Sequence, residues 1–191
     1  MEENKSLRQI YIDKRKALSD DDRHELSNKA SENLIALLNT EFKGANIFLC
    51  FYPLEYEIDL RPFYSNLIES GKTLYFPVSD DRDKSLSFYR VDNLESDFSR
   101  GTYQVMEPVD RVDELEDFSD CVCITPGLIF DDDFNRVGYG AGYYDRFFND
   151  NPEITKVGAF FDCQAYPALS PAAHDVKMDY IVTENGYTKR G

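Results

Sequence analysis

The sequence predicts an α/β fold, a three-layer sandwich whose mostly parallel, Rossmann-like sheet is flanked by helices. Three observations carry that expectation. Short apolar runs of strand length alternate with amphipathic helical stretches, and the run, helix and run between 47 and 78 have the spacing of a β-α-β unit. The chain has 191 residues, 42% of them hydrophobic and 14% aromatic, enough to bury one core in one domain over residues 1–191.

In order, Leu7, Ile10, Tyr11 and Leu18 recur at helical spacing between Lys5 and about Ala17, with Lys5, Arg8, Lys14, Arg15 and Lys16 on the other faces. Such charges are expected to be solvated, but their concentration in an acidic chain keeps Lys5 and Arg8 as anion-binding candidates. Ser19, with Asp22 three residues later, resembles a capping box and opens a second helix that runs to about Asn39. IFLCFY, 47–52, is an apolar run of buried-strand length, ended by Pro53. A helix follows from about Leu60 to Ser70, closed by Gly71, and then a strand over Thr73 to Val78. Two such strands should be parallel with a right-handed crossover, and ligands are expected at their carboxyl ends, where Tyr52, Glu55 and Glu57 lie. Glu55 is expected to be a solvated loop charge.

Leu86 to Val91 reads as a third strand. Residues 92–118 are acidic and irregular, with GTYQVMEP read as a loop ending in Glu107 and Pro108. Cys121 to Thr125 is a strand, turned by Pro126 and Gly127. A helix starts near Gly142 with Tyr144, Phe147 and Phe148 inward; Thr155 to Phe161 and Tyr180 to Thr183 are the remaining strands, the latter read as the last.

The formal charge of -15 and a pI near 4.5 do not attract a polyanion, so nucleic acid is not an expected partner. The four cysteines, with no C-x-x-C, are expected to be reduced core thiols; Cys121 and Cys123 should share one strand face. The start MEENKSLRQI has no basic region before an apolar run and nothing reaches membrane-spanning length, so a cytoplasmic protein with no membrane partner is expected, a monomer or weak homo-oligomer.

Chemistry concentrates in TPGLIFDDDFNRVGYGAGYYDRFF, 125–148. Glycines 138, 140 and 142 allow positive φ and close backbone approach, so amides there can face an anion such as phosphate. The segment lacks the G-K-[ST] ending of a P-loop. It also has G-x-G-x-G rather than G-x-G-x-x-G, although Asp162, 20 residues past Gly142, keeps an NAD-dependent oxidoreductase as a distant alternative. Arg136 offers a planar fork for phosphate, and Asp145, with Asp175 as a second carboxylate, could hold Mg²⁺ against it. His174 reads as an ordinary loop histidine, and Asp131, Asp132 and Asp133 as a solvated turn.

RVGYGAGYYDRF resembles the signature of the 5-formyltetrahydrofolate cyclo-ligase family, also called 5,10-methenyltetrahydrofolate synthetase. Other family marks occur in order: Lys5, Leu7 and Arg8; Tyr52 and Glu57; Glu107 and Pro108; Gln164; His174 and Asp175; and Met178 and Asp179. The resemblance implies ATP- and Mg²⁺-dependent conversion of 5-formyltetrahydrofolate to 5,10-methenyltetrahydrofolate, with small molecules as the only partners. It implies ATP contacts from Asn4, Lys5, Ser6, Leu7, Arg8, Arg136, Val137, Gly138, Tyr139, Gly140, Ala141, Gly142, Tyr143 and Tyr144. Folate contacts would come from Tyr52, Glu57, Tyr139, Gly140, Ala141, Gly142 and Tyr143, catalysis from Arg136 and Tyr143, and metal ligation from Asp145 and Asp175. Two positions depart from the family: Asn4 stands where lysine is common, with Lys5 one step later, and Gln104 stands where glycine is usual. A one-residue shift on a helix turns a side chain by about 100°. That motivates the alternative of a non-catalytic folate- or nucleotide-binding protein of the same fold.

Overall fold

The computed structural model describes residues 2–101 and 105–191, with the side chains of residues 2–5 outside the description. Gln104, and the Asn4 and Lys5 side chains, therefore lie outside the described residues. The elements are α1 (Glu2–Lys16), α2 (Asp20–Glu41), β1 (Ile47–Leu49), α3 (Arg61–Glu69), β2 (Thr73–Asp80), β3 (Ser85–Val91), β4 (Phe98–Arg100) and β5 (Met106–Pro108), then β6 (Val122–Thr125), β7 (Ile129–Phe130), β8 (Arg136–Val137), α4 (Tyr143–Asp150), β9 (Thr155–Ala159), a short 3-10 turn (Asp162–Gln164), β10 (Tyr180–Thr183) and β11 (Gly186–Lys189).

Seven strands form the main sheet in the order β11-β10-β9-β6-β1-β2-β3. The five central strands pair in parallel, with antiparallel β11 and β3 at the edges. Period-two alternation distributes the core. Phe48, Leu74, Phe76, Val122, Ile124, Val157 and Val182 face Leu34, Leu37, Phe63, Tyr64 and Leu67 of α2 and α3. Leu49, Tyr75, Cys121, Cys123 and Ile181 face Phe147 and Phe148 of α4. This gives three layers, and the two strand cysteines share a face as predicted.

From β1 the chain winds out to β2 in one direction and returns to β6 on the other side. The crevice beyond the carboxyl ends of β1 and β6 is therefore the switch point of the sheet, where open α/β sheets bind ligands. Two helix ends follow the predicted chemistry. Ser19 caps α2, accepting from the Asp22 amide at 3.1 Å, and Gly71 takes φ 75° just past α3.

Several expectations need correction. β1 is shorter than 47–52, because only Cys50 beyond it keeps a ladder bond, its amide donating to the Tyr75 carbonyl at 2.8 Å, before the chain turns toward Glu57. The 92–118 segment is not wholly irregular: Met106–Pro108 pairs antiparallel with Phe98–Arg100, a hairpin too short for periodicity to register. Tyr180–Thr183 is not the last strand, since Gly186–Lys189 doubles back along it after Gly186 at φ 135°. Asp131 is not part of a solvated turn, as described below.

Candidate active site

Helix α1 lies over the loops at the switch point. Its Tyr11, with Leu7 and Ile12, packs on Leu128 and Ile129, and the Tyr11 hydroxyl donates to the Ala165 carbonyl at 2.9 Å. Gln164 is fully buried and ties the same loops. Its amide nitrogen donates to the Gly127 and Leu128 carbonyls at 2.9 Å each, and its oxygen accepts from the Phe161 amide.

The glycine turn joins β8 to α4. Gly140 and Gly142 have φ of 106° and 73°, the left-handed backbone predicted for this stretch. Arg8 donates from Nε to the Gly138 carbonyl at 3.0 Å, and its guanidinium leaves a Cβ at Gly140 only 3.1 Å from Cζ. Arg146 reaches back from α4 to the Ala141 carbonyl at 2.8 Å. Gly140, Ala141, Gly142, Asp145, Arg146, Asn149 and His174 line an open cleft of about 320 Å³. The glycine turn is thus flanked by two guanidinium groups, those of Arg8 and Arg146.

Arg136 sits beneath the turn, not on its surface. Its side chain is 3% exposed and pairs with Asp145, 14% exposed, at 3.2 Å. The guanidinium lies 5.8 Å from the Tyr144 ring centroid and 6.0 Å from that of Phe148, and its Nε is buried without a hydrogen-bond partner among the described residues. Tyr144 is likewise buried at its hydroxyl, and burial pushes that phenol well above its ordinary pKa. The Tyr143 hydroxyl meets Asp81 at 3.2 Å, with Lys84 over its ring.

On the β1 side, Glu57 is buried where the chain turns back after the strand. Its Oε2 accepts from the Leu54 amide at 2.9 Å, and its Oε1 accepts from the Tyr139 hydroxyl at 2.7 Å and from Arg15 Nη1 at 3.4 Å. Arg15 Nη2 in turn donates to the Tyr139 hydroxyl at 2.6 Å. Burial and then the Glu57 carboxylate push the Tyr139 phenol well above its ordinary pKa, so it stays a protonated donor. Tyr139 is 48% exposed as a residue, with only its hydroxyl end tucked in. Through Tyr139, the glycine turn and Glu57 form one site. Tyr52 packs edge-on against Phe98 at 4.7 Å between centroids, beside Arg61.

Arg15 was expected on the solvated face, and the structure overturns that. Leu7, Tyr11 and Arg15 follow one another at intervals of four, so the arginine occupies the buried stripe; a polar residue at an apolar position was the available signal. Asp131 is the second correction. Its Oδ1 accepts from the Asp133 and Asn135 amides at 3.1 and 2.9 Å, and its Oδ2 from Asn135 Nδ2 and the Leu169 amide at 3.0 and 2.8 Å. A buried carboxylate serving four donors organises the turn into β8, including Phe134 at φ 65°. Asp132 and Asp133 are exposed as expected.

Of the two carboxylates expected to hold a metal, Asp145 lines the cleft, and Asp175 follows His174, which also lines it. Asp145 uses Oδ1 for Arg136 and for the Val176 amide at 3.1 Å. Asp175 uses Oδ2 for the Ala172 amide at 2.8 Å, with exposed His174 3.6 Å from Oδ1. Among the described residues no group of three His, Cys, Asp or Glu side chains could hold a metal alone. Two carboxylates suit a Mg²⁺ ion that arrives on a triphosphate, since such an ion keeps waters and phosphate oxygens as its other ligands.

The fold defines the class: an α/β protein with a mostly parallel seven-stranded sheet whose polar and glycine-rich loops gather at the switch point. A model of the 5-formyltetrahydrofolate cyclo-ligase family matches residues 1–184. The chain belongs to that family, and it is an enzyme. It is 25% identical to the 5-formyltetrahydrofolate cyclo-ligase of Escherichia coli over 173 residues, 89% of this chain and 94% of that one. It is 27% identical to the one from Mycoplasma genitalium over 188 residues, 95% and 98% of the two chains. The structure of Aquifex aeolicus 5,10-methenyltetrahydrofolate synthetase superposes with a TM-score of 0.80 at 31% identity, covering 97% of this chain and 92% of that one. The Mycoplasma pneumoniae synthetase, at 22% identity and a TM-score of 0.73, shares the fold. Among the described residues no helix is long and apolar enough to cross a membrane.

Proposed function

We propose that the chain converts 5-formyltetrahydrofolate to 5,10-methenyltetrahydrofolate with ATP, releasing ADP and phosphate. The observation that carries this reading is the hydrogen-bonded link from Glu57 through Tyr139 to the glycine turn, which brings a carboxylate pocket and an amide-rich, guanidinium-flanked turn together over one switch point.

Glu57 suits the N–H donors of a pterin, and the aromatic side chains of Tyr52 and Tyr143 its ring face. The glycine amides with Arg8 suit the phosphates, and Asp145 and Asp175 are the residues that would hold Mg²⁺, which supplies charge neutralisation to the triphosphate. The formyl oxygen attacks the γ-phosphorus, the bond to ADP breaks, and an iminium phosphate forms. N10 then attacks the formyl carbon, loses its proton to solvent, and phosphate departs with the former formyl oxygen. No protein nucleophile is required; positioning and electrostatics carry the rate. Arg136 acts from below, holding Asp145 and the turn.

Purified protein given 5-formyltetrahydrofolate, Mg²⁺ and ATP is expected to generate the near-ultraviolet absorbance of the methenyl product with one ADP per product. Absence of an ATP-dependent signal rejects the proposal. Tight folate binding with no turnover favours the non-catalytic alternative instead.

A further inference from the structure

We propose that Arg15 is a positioning residue for substrate recognition by Glu57, an inference that rests on the cyclo-ligase reading. Arg15 and Glu57 are each 4% exposed at the side chain and pair directly at 3.4 Å, tightly packed at the switch point with Phe51, Pro126, Gly127 and Gln164. A buried ion pair is a weak source of stability and is often matched by well-packed apolar groups. This one carries a further cost, because Arg15 Nε is buried with no hydrogen-bond partner among the described residues. A costly charged pair at the ligand end of the sheet is the kind of local inconsistency that marks function.

The geometry assigns the role. Glu57 Oε2 is fixed by the Leu54 amide at 2.9 Å, so recognition falls to Oε1. That oxygen is shared by Arg15 at 3.4 Å and the Tyr139 hydroxyl at 2.7 Å. A ligand N–H can take the place of the Tyr139 hydroxyl, because Tyr139 rides on the glycine turn with its ring half exposed. Arg15 has no such freedom. Buried in α1 beneath both partners, it holds Glu57 Oε1 as an acceptor at the position of the Tyr139 hydroxyl while Tyr139 and the substrate exchange. The substrate contact belongs to Glu57; Arg15 acts through it.

The test compares wild type with Arg15→Gln and Arg15→Lys, using steady-state kinetics and calorimetric titration of 5-formyltetrahydrofolate without ATP. Removing ground-state and transition-state recognition alike raises KM rather than lowering kcat. Arg15→Gln is therefore expected to raise both the folate KM and Kd about tenfold or more, with kcat and the ATP KM changed by about twofold or less. Should Arg15→Gln fold poorly, Arg15→Lys decides: the compact ammonium keeps the charge but lacks the rigid planar fork that reaches Glu57 and the Tyr139 hydroxyl from two separate nitrogens, and folate binding is expected to weaken about threefold. Unchanged folate affinity in a folded Arg15 variant, or equal rises in the folate and ATP KM values, overturns the proposal. Wild-type protein that binds folate without forming product rejects the cyclo-ligase reading alone, and the calorimetric comparison still judges Arg15. Wild-type protein that binds no folate overturns both.

Discussion

Arg136 and Asp131 are the two residues on which the glycine turn rests. Taking away the arginine leaves Asp145 without its cation in a site where the pair is 3% and 14% exposed, and breaking such a pair costs about 3 kcal/mol or more. Arg136→Ala is thus expected to lower the urea midpoint as well as turnover, the latter about tenfold or more through the displaced Asp145 and turn. A variant with unaltered stability and kinetics would remove Arg136 from the account. Asp131→Asn replaces an acceptor oxygen by an amide that faces two other donors, Asn135 Nδ2 and the Leu169 amide. It is expected to cost about 1–3 kcal/mol in denaturant unfolding, and wild-type stability would show that the carboxylate is dispensable there. Arg136 was legible in the sequence as a candidate, because a guanidinium fork ahead of alternating glycines stands beside backbone that can face an anion. Its burial was not, since nothing local reveals that Tyr144 and Phe148 will roof it. Arg15 was hidden because its partner, Glu57, is distant in sequence, and Asp131 because three of its four donors belong to a local turn at Asp133 and Asn135 that hydrophobic periodicity does not register, the fourth being distant Leu169.

At the scale of elements, caps and turns can be tested independently of chemistry. Ser19→Ala removes the acceptor for the Asp22 amide at the start of α2, a loss of about 1 kcal/mol, and is expected to lower thermal stability while leaving both KM values unchanged; a wild-type melting temperature would discount the cap. Gly142→Ala forces φ 73° on a residue with a Cβ and sets that carbon 3.3 Å from Arg146, a strain of about 1 kcal/mol. Because the strain falls in the turn proposed to hold phosphate, the ATP KM is expected to rise more than the folate KM, and the reverse order would contradict that placement. The central strands and helices α2 to α4 were legible because their apolar residues repeat at 2 or 3.6 over enough positions. The β4/β5 hairpin was not, because three residues per strand are too few to show a period of two, and β11 was not, because Gly186–Lys189 is an exposed edge with little burial to imprint a pattern.

Three of the four thiols are buried in or beside the sheet, while Cys163, expected in the core, is exposed in the 3-10 turn. Burial pushes Cys121 up from 9.0 to about 11 and Cys123 up from 9.0 to about 12, and raises Cys50 well beyond its usual value. Between the ordinary value and these, the unfolded chain has released protons that the folded chain retains, so folding stability is full below pH 9 and falls as pH rises toward 12. Urea midpoints that stay flat from pH 8 to about 11 would contradict this. With Cys163 exposed and the other three cysteines buried, a thiol reagent is expected to label one site in the native protein and four after unfolding. The central claim, however, concerns where phosphate comes from. If the formyl oxygen is phosphorylated, 5-formyltetrahydrofolate labelled with ¹⁸O in the formyl group must deliver that label to inorganic phosphate during turnover with ATP. Mass spectrometry of the released phosphate is predicted to find one ¹⁸O per methenyl product, and label recovered in water with unlabelled phosphate would contradict the mechanism.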